Sequence, residues 1–152
     1  MATSRRRQRP LSKSIEKQIE SIRTRKKAPI RRIVALCRLA EAAAKVGKAT
    51  VVLNVAVSEA LSVSGPIREP LIDTVVETQA KLGRFSDALD TTLKLDDAEA
   101  RGKCYDTILR RAETRGNAAI IGKCRAGLKS ARAQMSPDES RSFDEYLAIV
   151  DD

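Results

Sequence analysis

Few side chains in this sequence offer chemistry. Cys37, Cys104 and Cys124 are the three thiols among 152 residues, and histidine is absent. Without an imidazole the commonest general base is missing. Three widely spaced cysteines, with no CxxC pair and no histidine, do not make the four-ligand set of a zinc site. Each lies in a helical pattern among apolar neighbours, where cysteine acts as a small hydrophobe rather than an activated nucleophile. The carboxylate pairs are no better suited to acid–base work: Asp96-Asp97 reads as a helix start and Asp151-Asp152 as a charged tail. The sequence contains no GxGxxG, GxxxxGK[ST] or GxSxG. The expectation is a protein that is not an enzyme and uses no metal or cofactor.

The remaining chemistry is charge. The formal net charge is +9. Residues 1–34 hold 12 Lys/Arg and 2 Glu, whereas residues 35–152 hold 17 Lys/Arg and 18 Asp/Glu. The basicity therefore belongs to an N-terminal arm, residues 1–28, and its flank. Its cations are Arg5, Arg6, Arg7, Arg9, Lys13, Arg23, Arg25, Lys26, Lys27, Arg31 and Arg32. Such an arm suits an acidic partner: nucleic acid, an anionic membrane or an acidic protein face. It also reads as a solvated tail or, being rich in Arg and poor in acids, as an import sequence.

The elements that position these groups are helical. With no Trp, two Tyr and two Phe, the core must be aliphatic and alanine-rich, which favours close helix packing. Residues 1–10 have charge repulsion and Pro10 against any order. Ile15, Ile19 and Ile22 then make a narrow apolar stripe, with Ser12 or Ser14 as N-cap. That stripe predicts a first helix docked on the body; a membrane, a nucleic acid or a partner helix are the other surfaces it could meet. Residues 29–152 form the helical body. Pro29 opens a helix that Gly47 ends; Thr50 is the expected cap of the next, through Val63, whose valines leave a strand as the alternative. Ser64-Gly65-Pro66 is a turn, and Pro70 lies in the first turn of a helix that Gly83 ends. Ser86 is the expected cap of a fourth helix, reaching Lys94. A fifth spans roughly 98–115 and a sixth, capped by Asn117, roughly 118–134. Ser136-Pro137-Asp138-Glu139 is a capping box opening the last. No apolar run reaches the ~18–20 residues of a membrane span. Reduced cysteines point to the cytoplasm.

Gly47, Gly83 and Gly116 are spaced by 36 and 33 residues, as in helical-hairpin repeats. The helix before each glycine ends alike: AEAAAKVG, ETQAKLG, RRAETRG. Around the middle one, Gly83-Arg84-Phe85-Ser86-Asp87-Ala88 resembles the joint of a tetratricopeptide repeat, with Leu71, Val75 and Ala80 on its first helix. The other two units depart from that pattern: Lys48-Ala49 and Asn117-Ala118 lack the aromatic, and Val52 and Ile121 take the small position. The resemblance implies an all-α fold, a right-handed stack of antiparallel helical hairpins with about seven helices beyond the arm. It also implies a groove lined by the first helix of each hairpin. The exposed groove residues would be Glu41, Lys45, Asp73, Glu77, Lys81, Asp106, Arg110 and Thr114. The bland reading of Glu41/Lys45 and Glu77/Lys81 is ordinary (i, i+4) surface pairing.

Two functions follow as expectations. One is a protein–protein interaction scaffold, with the groove holding a peptide and the arm gripping an acidic partner. The other is a nucleic-acid-associated protein of ribonucleoprotein type, its arm bound to phosphates. The second is weakened by an arm without aromatics to stack on bases and a body without net positive charge.

Overall fold

The computed structural model describes residues 12–152, and among the described residues it is all-helical. Arg5, Arg6, Arg7 and Arg9 lie outside the described residues. So does the side chain of Lys13. The helices are α1 (Ser12–Arg25), α2 (Pro29–Ala44), α3 (Ala49–Ser62), α4 (Arg68–Lys81), α5 (Phe85–Thr92), α6 (Ala98–Thr114), α7 (Ala118–Gln134) and α8 (Pro137–Asp151).

Three corners have one construction. Gly47, Gly83 and Gly116 take φ of 72°, 74° and 65°. The next residue's N–H then reaches back five residues: Lys48 to the Ala43 carbonyl at 3.0 Å, Arg84 to Gln79 at 2.8 Å, Asn117 to Ala112 at 3.0 Å. This is the Schellman closure, which needs a left-handed residue and satisfies carbonyls the helix end leaves orphaned.

The helix starts divide into those with a side-chain cap and those without. Asp97 accepts from the Ala100 N–H at 2.7 Å, and Asn117 from Ile120 at 3.2 Å. Ser136 and Glu139 close the expected capping box, at 3.2 and 2.6 Å. Thr50 and Ser86 do not cap. The N-cap positions fall on Lys48 and Arg84, neither with a side-chain cap, and the helices begin earlier than expected. The Schellman corner feeds the chain straight into the next helix, leaving both residues inside the first turn. α5 also stops at Thr92, short of Lys94. Leu95 must turn inward to its buried site, and Arg101 Nη1 donates to the freed carbonyls of Leu95 and Asp96 at 2.8 and 2.7 Å.

The segment with two readings is helical through Ser62, with Val63 an extended C-cap, and Val52, Leu53, Ala56 and Ala60 face the core. Helices α2/α3, α4/α5 and α6/α7 pack as pairs. The first helices also touch in sequence, α2 on α4, α4 on α6 and α6 on α8. One aliphatic cluster runs from Ile15 and Ile19 of α1 through to Ile120 and Cys124 of α7. The isoleucine stripe of α1 is therefore docked on the body. Glu59 of α3 reinforces it, accepting from Arg23 Nε at 2.9 Å and Arg32 Nε at 3.2 Å. Close approach between α6 and α7 depends on Gly127: a Cβ there would sit 2.5 Å from the Tyr105 ring.

Candidate functional site

The side-by-side first helices α2, α4 and α6 bring together most of the residues expected to line a groove. On α2 and α4 their charges are tied between helices rather than along them. Glu41 Oε1 of α2 meets Lys81 Nζ of α4 at 3.1 Å. Glu77 of α4 meets Arg111 of α6 at 3.5 Å. Arg115 Nη2 donates to the Lys81 carbonyl at 2.7 Å and its guanidinium lies 5.9 Å from the Phe85 ring centroid. The expected Glu41/Lys45 and Glu77/Lys81 pairs within one helix are replaced by this ladder. Adjacent first helices put a partner as near as the next turn does, and Lys45 has no ion-pair partner among the described residues. Exposed pairs of this kind contribute about 0–1 kcal/mol each. Glu41, Glu77 and Lys81 remain solvent-accessible; Glu77 keeps 56% of its side-chain exposure.

Two expected groove residues are enclosed instead. Asp106 is only 6% exposed, because α8 lies over that side of α6. It accepts from Arg110 Nε at 2.8 Å, and Arg110 Nη2 continues to Asp151 of α8 at 2.8 Å. Asp73 is half-buried between α4 and α6, accepting from Cys104 Sγ at 3.7 Å and Thr107 Oγ1 at 3.4 Å. Burial pushes the Asp73 carboxyl above its ordinary pKa, with Glu77 adding to the rise. Thr114 bonds back to the Arg110 carbonyl at 3.0 Å. The ladder's usable surface is thus Glu41, Glu77 and Lys81, joined by Arg111 and Arg115, which the sequence reading missed. Those two follow Glu77 and Lys81 by 34 residues, close to the 33-residue spacing of Gly83 and Gly116, a signal that could have found them.

All three thiols are buried. Burial raises the pKa of Cys37. It does the same at Cys104, where the neighbouring Asp73 carboxylate adds to it, and it pushes Cys124 to about 11. Neutral thiols of this kind are inert. Among the described residues no three His, Cys, Asp or Glu side chains group as metal ligands. No helix among them is long and apolar enough to cross a membrane.

Of the basic residues, Arg23 and Arg32 are held by Glu59, whereas Arg25, Lys26, Lys27 and Arg31 are exposed. Lys26 and Arg31 border a cleft of about 400 Å³ with Ile30, Val34, Ala35 and Arg38. Arg38 was missed by the sequence reading, although it follows Arg31 by seven residues on the same helix side. No family model matches the chain, and neither do curated proteins or solved structures.

Proposed function

We propose that this chain is a non-enzymatic protein-interaction scaffold, a tetratricopeptide-like stack of helical hairpins. On this reading the α2–α4–α6 face receives an extended or helical peptide, and the basic N-terminal segment holds an acidic stretch flanking it. The observation that supports it is the set of three like-built glycine corners. They set three first helices next to one another and leave Glu41, Glu77, Lys81 and Arg111 as a row of alternating, accessible charge. Such a row, preformed by its own ion pairs, offers a charged peptide a pattern already ordered before binding. The buried, protonated thiols are consistent with a role without catalysis.

The test is proximity labelling or pull-down with the full chain, recovering protein and RNA together. Glu41→Arg with Glu77→Arg alters exposed positions and spares buried Asp73 and Asp106. The variant should keep its helical circular dichroism and lose the protein partner. Removal of residues 1–11, which leaves the docked α1 in place, should weaken that capture and make it less salt-sensitive. RNA recovered in a manner that depends on residues 1–11 and is indifferent to the α2–α4 reversals would overturn the scaffold reading.

A further inference from the structure

The two outer edges of the first-helix row carry opposite charge in the same rhythm. Residues 26–45 hold six basic side chains and one glutamate, whereas residues 137–152 hold six acidic side chains and one arginine. Along α2 to its C-cap, Arg31, Arg38 and Lys45 recur every seven residues, opposite the buried Ile33, Leu36 and Ala40. Along α8 to its C-cap, Asp138, Glu145 and Asp152 also recur every seven, opposite the buried Phe143. Each triplet spans 14 residues, about 21 Å of helix. Arg31, Arg38, Lys45, Glu145 and Asp152 have no ion-pair partner among the described residues, and Asp138 meets only Arg141, at 3.7 Å.

Inside the chain the first helices pack in parallel. Asp73 with Thr107 and Glu77 with Arg111 keep one offset along α4 and α6. Glu99 with Ser142 and Arg110 with Asp151 likewise keep α6 and α8 in one direction. A second copy placed beyond α8 would therefore present its α2 in parallel too. In that register Asp138 meets Arg31, Glu145 meets Arg38 and Asp152 meets Lys45. Ile149, 77% exposed, and Ala148 then fall beside Ala42, also exposed.

The geometry points to head-to-tail self-association, in which α8 of one copy docks on the outer edge of α2 of the next and continues the row of first helices. The contact is heterologous: the two surfaces differ, so each copy keeps one free edge and growth is open-ended. It is driven by matched charge and falls with ionic strength. This goes beyond the scaffold reading, and it is tested on purified chain alone, so either can fail without the other.

Sedimentation velocity on the full chain at low salt should give a weight-average mass that climbs with concentration without a plateau, and reverts to monomer at ~1 M salt. Arg31→Glu with Arg38→Glu should be monomeric throughout. Glu145→Ala with Asp152→Ala should also be monomeric. Mixed one to one, these two variants retain one good α8 edge and one good α2 edge between them, so they should form a 1:1 dimer that grows no further. All the substituted side chains are exposed, and unchanged circular dichroism would confirm the fold. A wild-type chain that stays monomeric at every concentration overturns the proposal. So does a closed dimer insensitive to these substitutions, or a mixture of the variants that fails to pair.

Discussion

The two ends of the helical body are held by different physics. At the N-terminal end α1 is held by a hydrophobic stripe, Ile15 and Ile19 buried and Ile22 partly so, with the Arg23–Glu59–Arg32 pairs at its margin. At the C-terminal end α8 buries one side chain, Phe143. The rest of its attachment is polar: Ser142 to Glu99 at 2.7 Å, Asp151 to Arg110, Asp144 to Arg132 at 2.9 Å, and Lys103 Nζ 5.5 Å from the Tyr146 ring centroid. Several spread apolar anchors tolerate the loss of one. A single anchor ringed by exposed pairs does not, because those pairs contribute little once the water they exclude returns.

The sharpest way to break this contrast is to remove one anchor from each end. Phe143→Ala should cost about 3–5 kcal/mol, the ordinary loss for a buried aromatic, up to the point at which α8 detaches. Ile15→Ala should cost about 2 kcal/mol, near the low end for aliphatic truncation, because Ile19 and Ile22 remain. Hydrogen exchange localises the two effects: protection should vanish across 137–151 in the first variant and survive in α1 in the second. Equal loss of protection at both ends would show that α8 has anchors beyond its aromatic.

A smaller perturbation asks whether the slot for that aromatic is full. Gly102 of α6 lies beneath it, and a Cβ there would come within 2.9 Å of the Met135 methyl and 3.1 Å of the Phe143 ring. Helix propensity favours alanine over glycine by about 1 kcal/mol. Overpacking costs about 1–3 kcal/mol. Gly102→Ala should therefore lower stability in urea melts by about 1 kcal/mol, whereas Gly122→Ala, facing open space within α7, should raise it by about as much.

What the sequence showed of this fold was mostly its punctuation. Gly47, Gly83 and Gly116 mark real corners because a left-handed residue is demanded there and glycine meets that demand most readily. Asn117 and Ser136 mark real caps because their bonds are local. Thr50 and Ser86 misled for the same reason in reverse: the corner's own hydrogen bonds had already settled where the helix starts. The candidate site was less legible. Glu41 was recognisable as a surface residue, but the (i, i+4) rule knows only its own helix, so it named Lys45 rather than Lys81 as the partner. Asp106 lies on the predicted side of α6, and only the path of α8 decides that it is covered. The seven-residue charge rhythms of α2 and α8 were in view throughout, though their opposition has meaning only once both helices are known to edge one row.

The corners carry the contrast inward. Alanine at either Gly47 or Gly83 should cost about 1–2 kcal/mol for the left-handed conformation alone. Nothing crowds Gly47, whereas at Gly83 the added methyl would displace the Arg115 guanidinium from the Lys81 carbonyl. Gly83→Ala should thus exceed Gly47→Ala by under 1 kcal/mol, and the excess should vanish when both are compared in an Arg115→Ala background. An excess that persists there would place the strain in the corner itself.

The smallest effect tests whether the seam between α4 and α6 is sensitive to acid. Asp73 lies between α4 and α6, and its folded-state pKa is above the ordinary 3.8, chiefly through desolvation and then through Glu77. The native state therefore binds this proton more tightly than the unfolded chain does. Stability from this group is highest below the ordinary value and falls as pH rises towards the folded-state pKa; above that the penalty is complete and constant. Asp73→Asn removes the charge and keeps an acceptor for Thr107. It should melt above the parent at neutral pH, with the gap closing as pH drops through the carboxylate range. The gap arises because the ionised carboxylate is incompletely solvated by bonds as long as 3.4 and 3.7 Å. Were the variant less stable at neutral pH, those two donors would be compensating the charge in full. The seam between α4 and α6 would then draw net stability from its polar contacts.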